Sequence, residues 1–434
     1  MDTPSSWALA ASVVVFALTY IAMLSGRAHR TTVVLTGAAI MIALGEGLGF
    51  YDLHAAGRAV DFNTIFLLLG MMIVVELFRE TGFFQYLAIV AARFTRGRPW
   101  LLLIYLGVIT SLISMVLDNV TTILILIPVT VSIADIMGVP PLPFLIGELT
   151  LSNIGGVATL IGDPPNILIG SAAGFSFTDF LVHLAPIVVV CWIVAQGFLL
   201  ITFRRSLRTT PESVNRLMSM NVRLALTDRK TARRMLIVLV GTILLFLVHD
   251  RLGLEPGVVA LLGACIGLLW VRPSLEKVLS AIHWDVLLFF IALFMIVGGL
   301  EAGGLLGLLG NGLRSLTAIG MSVAVIAVLW GGALASGVLS NVPFTIAMLP
   351  VLKGLAMQGV AVGPLWWALA LGVGLGANLT PIGAASNVMV TSLGTDVGAP
   401  MERGTWLRTG SVVSVLSLIV GSGGLLLAWS LGWL

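Results

Sequence analysis

Asp118, Glu148 and Asp163 are carboxylic acids set in apolar sequence, each with amides and hydroxyls close by. Asp118 belongs to LDNVTTILILIP (117–128) and Asp163 to GGVATLIGDPPN (155–166), while Glu148 lies about one helical turn before Ser152 and Asn153. A carboxylate at membrane depth is costly and usually marks an ion or proton path. The surrounding uncharged groups can hold a small polar solute. This set suits binding, release and proton exchange rather than bond making. No nucleophile–base arrangement accompanies the acids, so no enzyme activity is expected. No GxxxxGK[ST] phosphate loop is present, which excludes ATP hydrolysis by that route. Cys191 and Cys265 lie inside apolar runs and read as packed residues, and neither a metal nor a cofactor is expected beyond a coupling proton or sodium ion.

The polar set occurs twice. LDNVTTILILIP (117–128) matches LSNVPFTIAMLP (339–350) at an offset of 222, and GGVATLIGDPPN (155–166) matches GANLTPIGAASN (376–387) at 221. In the second pair Gly155/Gly376, Thr159/Thr380, Ile161/Ile382, Gly162/Gly383 and Asn166/Asn387 are identical. Glycine permits unusual backbone angles and proline removes a donor, so helices must break at these four places. Freed carbonyls can bind a cation, and N–H groups at half-helix N-termini can bind polar oxygens. The candidate solute and ion site is therefore Asp118, Asn119, Thr121, Asn153, Gly155, Thr159, Gly162, Asp163 and Asn166 from the first half. From the second half come Ser340, Asn341, Asn378, Thr380, Gly383, Ser386 and Asn387.

Proton-coupling candidates are Asp118, Asp163 and Glu148. Asp118 is preferred because it stands at a hairpin tip whose twin position is the neutral Ser340. Asp163 fits two roles, site residue or N-cap of the following half-helix, since DPPN resembles a cap followed by prolines. Glu148 fits a proton relay or a structural bond to Thr150. The bland alternative for the whole set is that these side chains satisfy one another at helix kinks. No Lys or Arg falls in the four motif segments, so a polyanion would meet uncompensated negative charge unless cations entered with it. The five histidines lie near helix ends, which argues against a histidine proton relay.

Elements that could position such a layer are long apolar helices. The 434 residues are 58% hydrophobic and 10% charged, with mean hydropathy +1.09, against about 25% charged in soluble domains. The class is all-α and polytopic. Crossings are expected near 9–25, 32–50, 62–78, 142–172, 180–203, 235–249, 257–271, 284–301, 365–392 and 410–433, with re-entrant hairpins at 100–136 and 319–357. The first ten residues lack a basic n-region and a small-residue cleavage site, so no removed signal peptide is expected. The chain divides into a first repeat (1–203), a basic linker (204–234) and a second repeat (235–434). Placing the linker in the cytoplasm puts nineteen of the 23 Lys and Arg inside and leaves four outside, with both termini outside. Five crossings per half then invert the second half relative to the first, the plan of secondary transporters with broken helices. The linker reads as a topology anchor on anionic lipid, or as a dock for a cytosolic partner.

These motifs resemble the ion transporter superfamily, in the branch that holds arsenite permeases of the ArsB type, sodium/proton antiporters of the NhaD type and the melanosomal P protein. SNIGGVATLIGDPPNILIG (152–170) and LDNVTT (117–122) carry the likeness, which covers essentially the whole chain. The resemblance implies a homodimeric elevator in an inner or plasma membrane. Its scaffold comes from the first three crossings of each half and its mobile part from hairpins and broken helices. In the sodium–dicarboxylate relatives, Ser-Asn-Thr hairpin tips bind carboxylate and sodium. Here Asp118-Asn119-Val120-Thr121 and Ser340-Asn341-Val342-Pro343 stand in those places, a departure that counts against a dicarboxylate. The expected function is proton-coupled efflux of arsenite or antimonite, small inorganic and hydroxyl-rich. Sodium/proton antiport comes second, then an organic-anion carrier or a channel. A cytosolic ATPase partner is compatible with this reading and a nucleic-acid partner is not expected.

Overall fold

The structure, a computed structural model, describes residues 6–25, 27–207, 225–396 and 400–434. Arg208, Glu212, Arg216 and Arg223 of the linker lie outside the described residues. Among the described residues every regular element is a helix. The first half contains α1 (Ser6–Leu24), α2 (Arg30–Leu48), α3 (Leu53–Ala59), α4 (Phe62–Arg79), α5 (Phe83–Phe94), α6 (Pro99–Ser114), α7 (Asn119–Met137), α8 (Leu142–Gly156), α9 (Pro164–Ala173), α10 (Phe177–His183) and α11 (Ala185–Phe203). The second contains α12 (Arg229–Val248), α13 (Pro256–Val271), α14 (Leu275–Ala281), α15 (Trp284–Ala302), α16 (Leu305–Ile319), α17 (Met321–Leu339), α18 (Asn341–Met357), α19 (Gly363–Gly376), α20 (Ala385–Asp396), α21 (Arg403–Arg408) and α22 (Gly410–Ser430).

The two sets correspond one for one, and their packing is reciprocal. α4 lies on α13 as α15 lies on α2; α6 lies on α8 as α17 on α19; α9 meets α18 as α20 meets α7; α11 meets its own twin, α22. Such exchange is what a twofold relation between inverted halves produces. Among the described residues eight helices are long and apolar enough to cross a membrane: α2, α4, α7, α11, α12, α15 and α17, with the eighth running Arg403–Ser430. The crossings expected at 9–25 and 257–271 are shorter apolar helices, Trp7–Met23 and Pro256–Val271. Those expected at 142–172 and 365–392 are each two half-helices, α8 with α9 and α19 with α20.

The hairpins are α6–α7 and α17–α18, each carrying a proline inside its second arm, Pro128 and Pro350. Three short helices (α3, α14 and α21) and two amphipathic arms lie outside the expected crossings. α5 and α16 lead into the hairpins, and α10, closed by a Ser176–Asp179 capping box, takes the start of the expected 180–203 crossing. α12 starts at Asp228, whose carboxylate accepts from the Lys230 and Thr231 amides and from the Thr231 hydroxyl. Those bonds, led by Thr231, hold its carboxyl below the usual range. Lys277 of α14 pairs with Glu80 at 2.6 Å, and the Thr227 amide donates to the Thr81 carbonyl. The end of the linker, α14 and the end of α4 therefore lie together.

Candidate functional site

Each broken helix is held open by one design used twice. In the first break, Thr159 donates its hydroxyl to the Met115 carbonyl, and Asn166 donates its amide to the carbonyls of Gly156, Val157 and Thr159 at 3.3, 3.1 and 2.8 Å. In the second, Thr380 donates to the Gly337 carbonyl, and Asn387 to those of Ala377 and Thr380 at 2.6 and 2.9 Å. These four identical side chains spend donors on backbone that a continuous helix would have satisfied itself. The glycines serve the same geometry. Gly155 packs on the Ser111 backbone and Gly376 on that of Ala333, while Gly162 and Gly383 press on the carbonyls of Gly156 and Ala377. Ser114 and Ser336, both outside the expected set, tie each hairpin to its broken helix by donating to the carbonyls of Ser152 (3.0 Å) and Val373 (2.7 Å).

The halves meet chiefly through Asn153, whose twin position is Gly374. Asn153 of α8 donates to Asn378 Oδ1 at 2.8 Å and to Asn387 Oδ1 at 3.0 Å, and accepts from the Ser386 hydroxyl at 3.1 Å. Asn378 donates back to the Thr150 carbonyl at 3.0 Å, and all five residues are buried. The second break also receives donors from the last helices: Trp406 to Asn378, Ser411 to Leu379 and Ser414 to Leu375.

The hairpin tips divide their work unequally. Asp118 accepts from the Thr121 amide at 2.9 Å and hydroxyl at 2.6 Å, so it caps α7. Asn119 turns inward, its Oδ1 accepting from the Ser152 hydroxyl at 3.1 Å and lying against the Ser114 hydroxyl. In the second hairpin Ser340 has φ +74° and ψ 148° and makes no cap bond. That backbone region is nearly glycine-only and costs about 1–3 kcal/mol. Asn341 instead reaches across the repeats, donating Nδ2 to both oxygens of Asp163 at 3.2 Å. Asp163 occupies the N-cap position of α9 without a side-chain cap bond, and prolines 164 and 165 open that helix. The Asp163 carboxylate therefore bonds the opposite repeat and makes no cap bond, while Asp118 caps its helix.

Exposure is unequal as well. Ile161 in the first break is 4% exposed and its twin Ile382 is 51% exposed. A crevice of about 20 Å³, room for one water, reaches Thr121 past Glu76, Arg79 and His283. A larger cavity of about 320 Å³ between α16, α17 and α18 is lined by glycines and by apolar residues such as Leu313, Phe344 and Met348, with no polar side chain among its lining residues. Glu148, expected near Thr150, bonds Thr130 instead. Among the described residues no group of three or more His, Cys, Asp or Glu gathers to hold a metal. A cation at the site would rest on Asp163, amide oxygens and unwound carbonyls of 157–163.

A family model described as "Citrate transporter" matches residues 20–372. A "46 kDa membrane protein" of Mycobacterium leprae is 39% identical over 420 residues, covering 94% of this chain and 96% of that one. An "uncharacterized transporter" of Mycobacterium tuberculosis is 40% identical over 419 residues, covering 95% and 96%. The human P protein is 30% identical over 493 residues; the match takes in 93% of this chain but 58% of that longer protein. The crystal structure of the YdaH transporter of Alcanivorax borkumensis, described as having an unusual topology, shares the fold at TM-score 0.55 and 16% identity, over 85% of this chain and 86% of that one. The chain belongs to the citrate transporter family of the ion transporter superfamily, and is a multi-pass membrane transporter homologous to the P protein.

Proposed function

We propose that this transporter is a proton-coupled carrier exporting arsenite or antimonite, with the solute held between the hairpin tips and the two breaks. The observation that carries the reading is the Asp163–Asn341 contact: a buried acid of one repeat, bonded only through an amide of the other, among uncharged groups. No Lys or Arg lies in the motif segments, which favours arsenous acid, neutral and rich in hydroxyls, over a free tricarboxylate. An organic anion of the kind the family description names fits here only if cations enter with it. Sodium/proton antiport is the second reading, supported by the carboxylate lying beside seven non-helical residues, 157–163.

Alternating access follows if the repeats exchange conformations. Ile161 is covered and Ile382 open, and the opposite state reverses them. Two packed groups support an elevator: α1–α4 with α12–α15, and α6–α11 with α17–α22, joined by fewer contacts such as α4 with α9 and α15 with α18. A dimer formed through the first group belongs to the same proposal.

Everted vesicles provide the direct test. A proton gradient, acid inside, is expected to drive arsenite accumulation that a protonophore abolishes. Dye-quench recovery on adding sodium, with no response to arsenite, selects sodium/proton antiport instead. A second measurement tests the exchange of states. In a Cys265→Ser background, which removes the exposed native thiol, Ile382→Cys is expected to react with a water-soluble maleimide far faster than Ile161→Cys, with solute or proton load narrowing the difference. Equal rates under every condition argue against two states.

A further inference from the structure

Glu148 lies in α8, before the break, and is fully buried. Its Oε1 accepts from the Thr130 hydroxyl at 2.6 Å, and its Oε2 is buried without a hydrogen-bond partner. The twin position in the second half is Leu369, also fully buried, so packing here asks for an aliphatic side chain and not an acid. The helices packed on α8 carry few titratable groups: Tyr105 on α6, Asp135 on α7, Cys191 on α11 and Asp396 at the end of α20. Among the described residues none of the ion pairs involves Glu148. An ionised carboxylate held dry and unpaired at membrane depth is far too costly to persist, so in this conformation the group is neutral.

We propose that Glu148 is a proton-carrying site distinct from the solute cage. It stays protonated while α7 and α8 are packed, and releases its proton to water when the first hairpin shifts against α8 and Oε2 becomes wet. The step breaks the Oε2–H bond and leaves a carboxylate held by Thr130 and water; repacking requires the proton's return. The partner Thr130 is eleven residues past Asn119, roughly 16 Å along α7. One turn further along α8, Ser152 donates to Asn119 Oδ1 at 3.1 Å, so the helix that carries Glu148 also holds the hairpin tip. Coupling requires two charge states that favour different arrangements, and the α7–α8 seam supplies that difference. Asp163 then serves chiefly the solute, and the two acids give the carrier two separable proton-linked steps.

The transport arm of the test rests on the proposed proton-coupled reading; the spectroscopic arm does not. Glu148→Gln keeps the shape and an acceptor for Thr130. In proteoliposomes it is expected to retain solute exchange between equal pools but to lose proton-driven accumulation by about tenfold or more. Infrared difference spectra between acid and alkaline samples are expected to show a protonated-carboxyl band in the wild type that Glu148→Gln removes. Glu148→Leu, which copies Leu369, repeats both measurements if the Gln variant does not fold. Wild-type accumulation and pH profile in the Gln variant, or an unchanged carboxyl band, overturns the proposal. If the wild type moves no arsenite, the substrate reading falls and the infrared comparison still decides Glu148.

Discussion

Asp163→Asn is expected to lower proton-driven solute uptake by about tenfold or more, equivalent to ~1.4 kcal/mol or greater, with the protein still folded. Asn341 presents two N–H donors to the acid at 3.2 Å, and its own Oδ1 accepts from the Val342 amide at 3.0 Å. An amide at position 163 puts an NH₂ group against that NH₂ group. Asn341 can turn to relieve the clash only by abandoning Val342. Either way the site loses a group that accepts a proton or cation and releases it again. Asp118→Asn is the paired control. Asn and Asp cap helices about equally well, so the Thr121 bonds survive in kind and uptake is expected to stay within roughly twofold of wild type. Everted-vesicle uptake, normalised to folded protein by detergent size-exclusion, separates the outcomes. Normal uptake in Asp163→Asn together with collapse in Asp118→Asn would return the coupling role to the hairpin tip.

The different hydrogen bonds of these two acids show what sequence could and could not reveal. The four breaks were legible because polar residues interrupt apolar runs, in three of the four beside glycine or proline, and because the pattern recurs at 222 and 221 residues. Thr159, Thr380, Asn166 and Asn387 were legible as a set, yet their identity across the halves reflects a shared backbone-bonding task. A helix kink does demand the same polar set twice when both kinks have the same geometry. Asp163 read as a cap or a site residue and Asp118 as the coupling acid, yet each precedes a helix start, and Asp there looks alike in either role. Only the approach of the second hairpin decides which carboxylate faces Asn341. Ser114 and Ser336 were within reach: carrying the first repeat match three residues upstream aligns SMVLDNV with SGVLSNV. Asn153 has Gly374 for a twin, so its bonds to Asn378 and Asn387 leave no trace in the repeat. The amphipathic arms α5 and α16 were missed because neither is long or apolar enough to stand out as a crossing.

Gly162→Ala is expected to destabilise the protein by about 3 kcal/mol or more, with loss of monodisperse material after extraction. A Cβ at this position would lie 2.5 Å from the Gly156 carbonyl oxygen and 2.6 Å from that of Ser114. Both neighbours are backbone, so no side-chain rotation makes room. One belongs to the broken helix and the other to the first hairpin, so relief requires moving the two apart. That movement strains the Thr159–Met115 and Ser114–Ser152 bonds together, leaving buried donors and acceptors unpaired at ~1–3 kcal/mol each. Gly383→Ala meets the Ala377 carbonyl oxygen at 2.5 Å and is expected to fail in the same way from the other half. Gly241→Ala, in the middle of α12 with nothing within 4 Å of the added methyl, is the control; it removes a glycine from a helix interior and is expected to gain ~0.5–1 kcal/mol. The comparison is melting temperature in detergent for the three variants. A Gly162→Ala protein that melts with the wild type would mean that the broken helix and the hairpin do not pass at backbone contact, and the shared frame that sets Asp163 opposite Asn341 would fall with it.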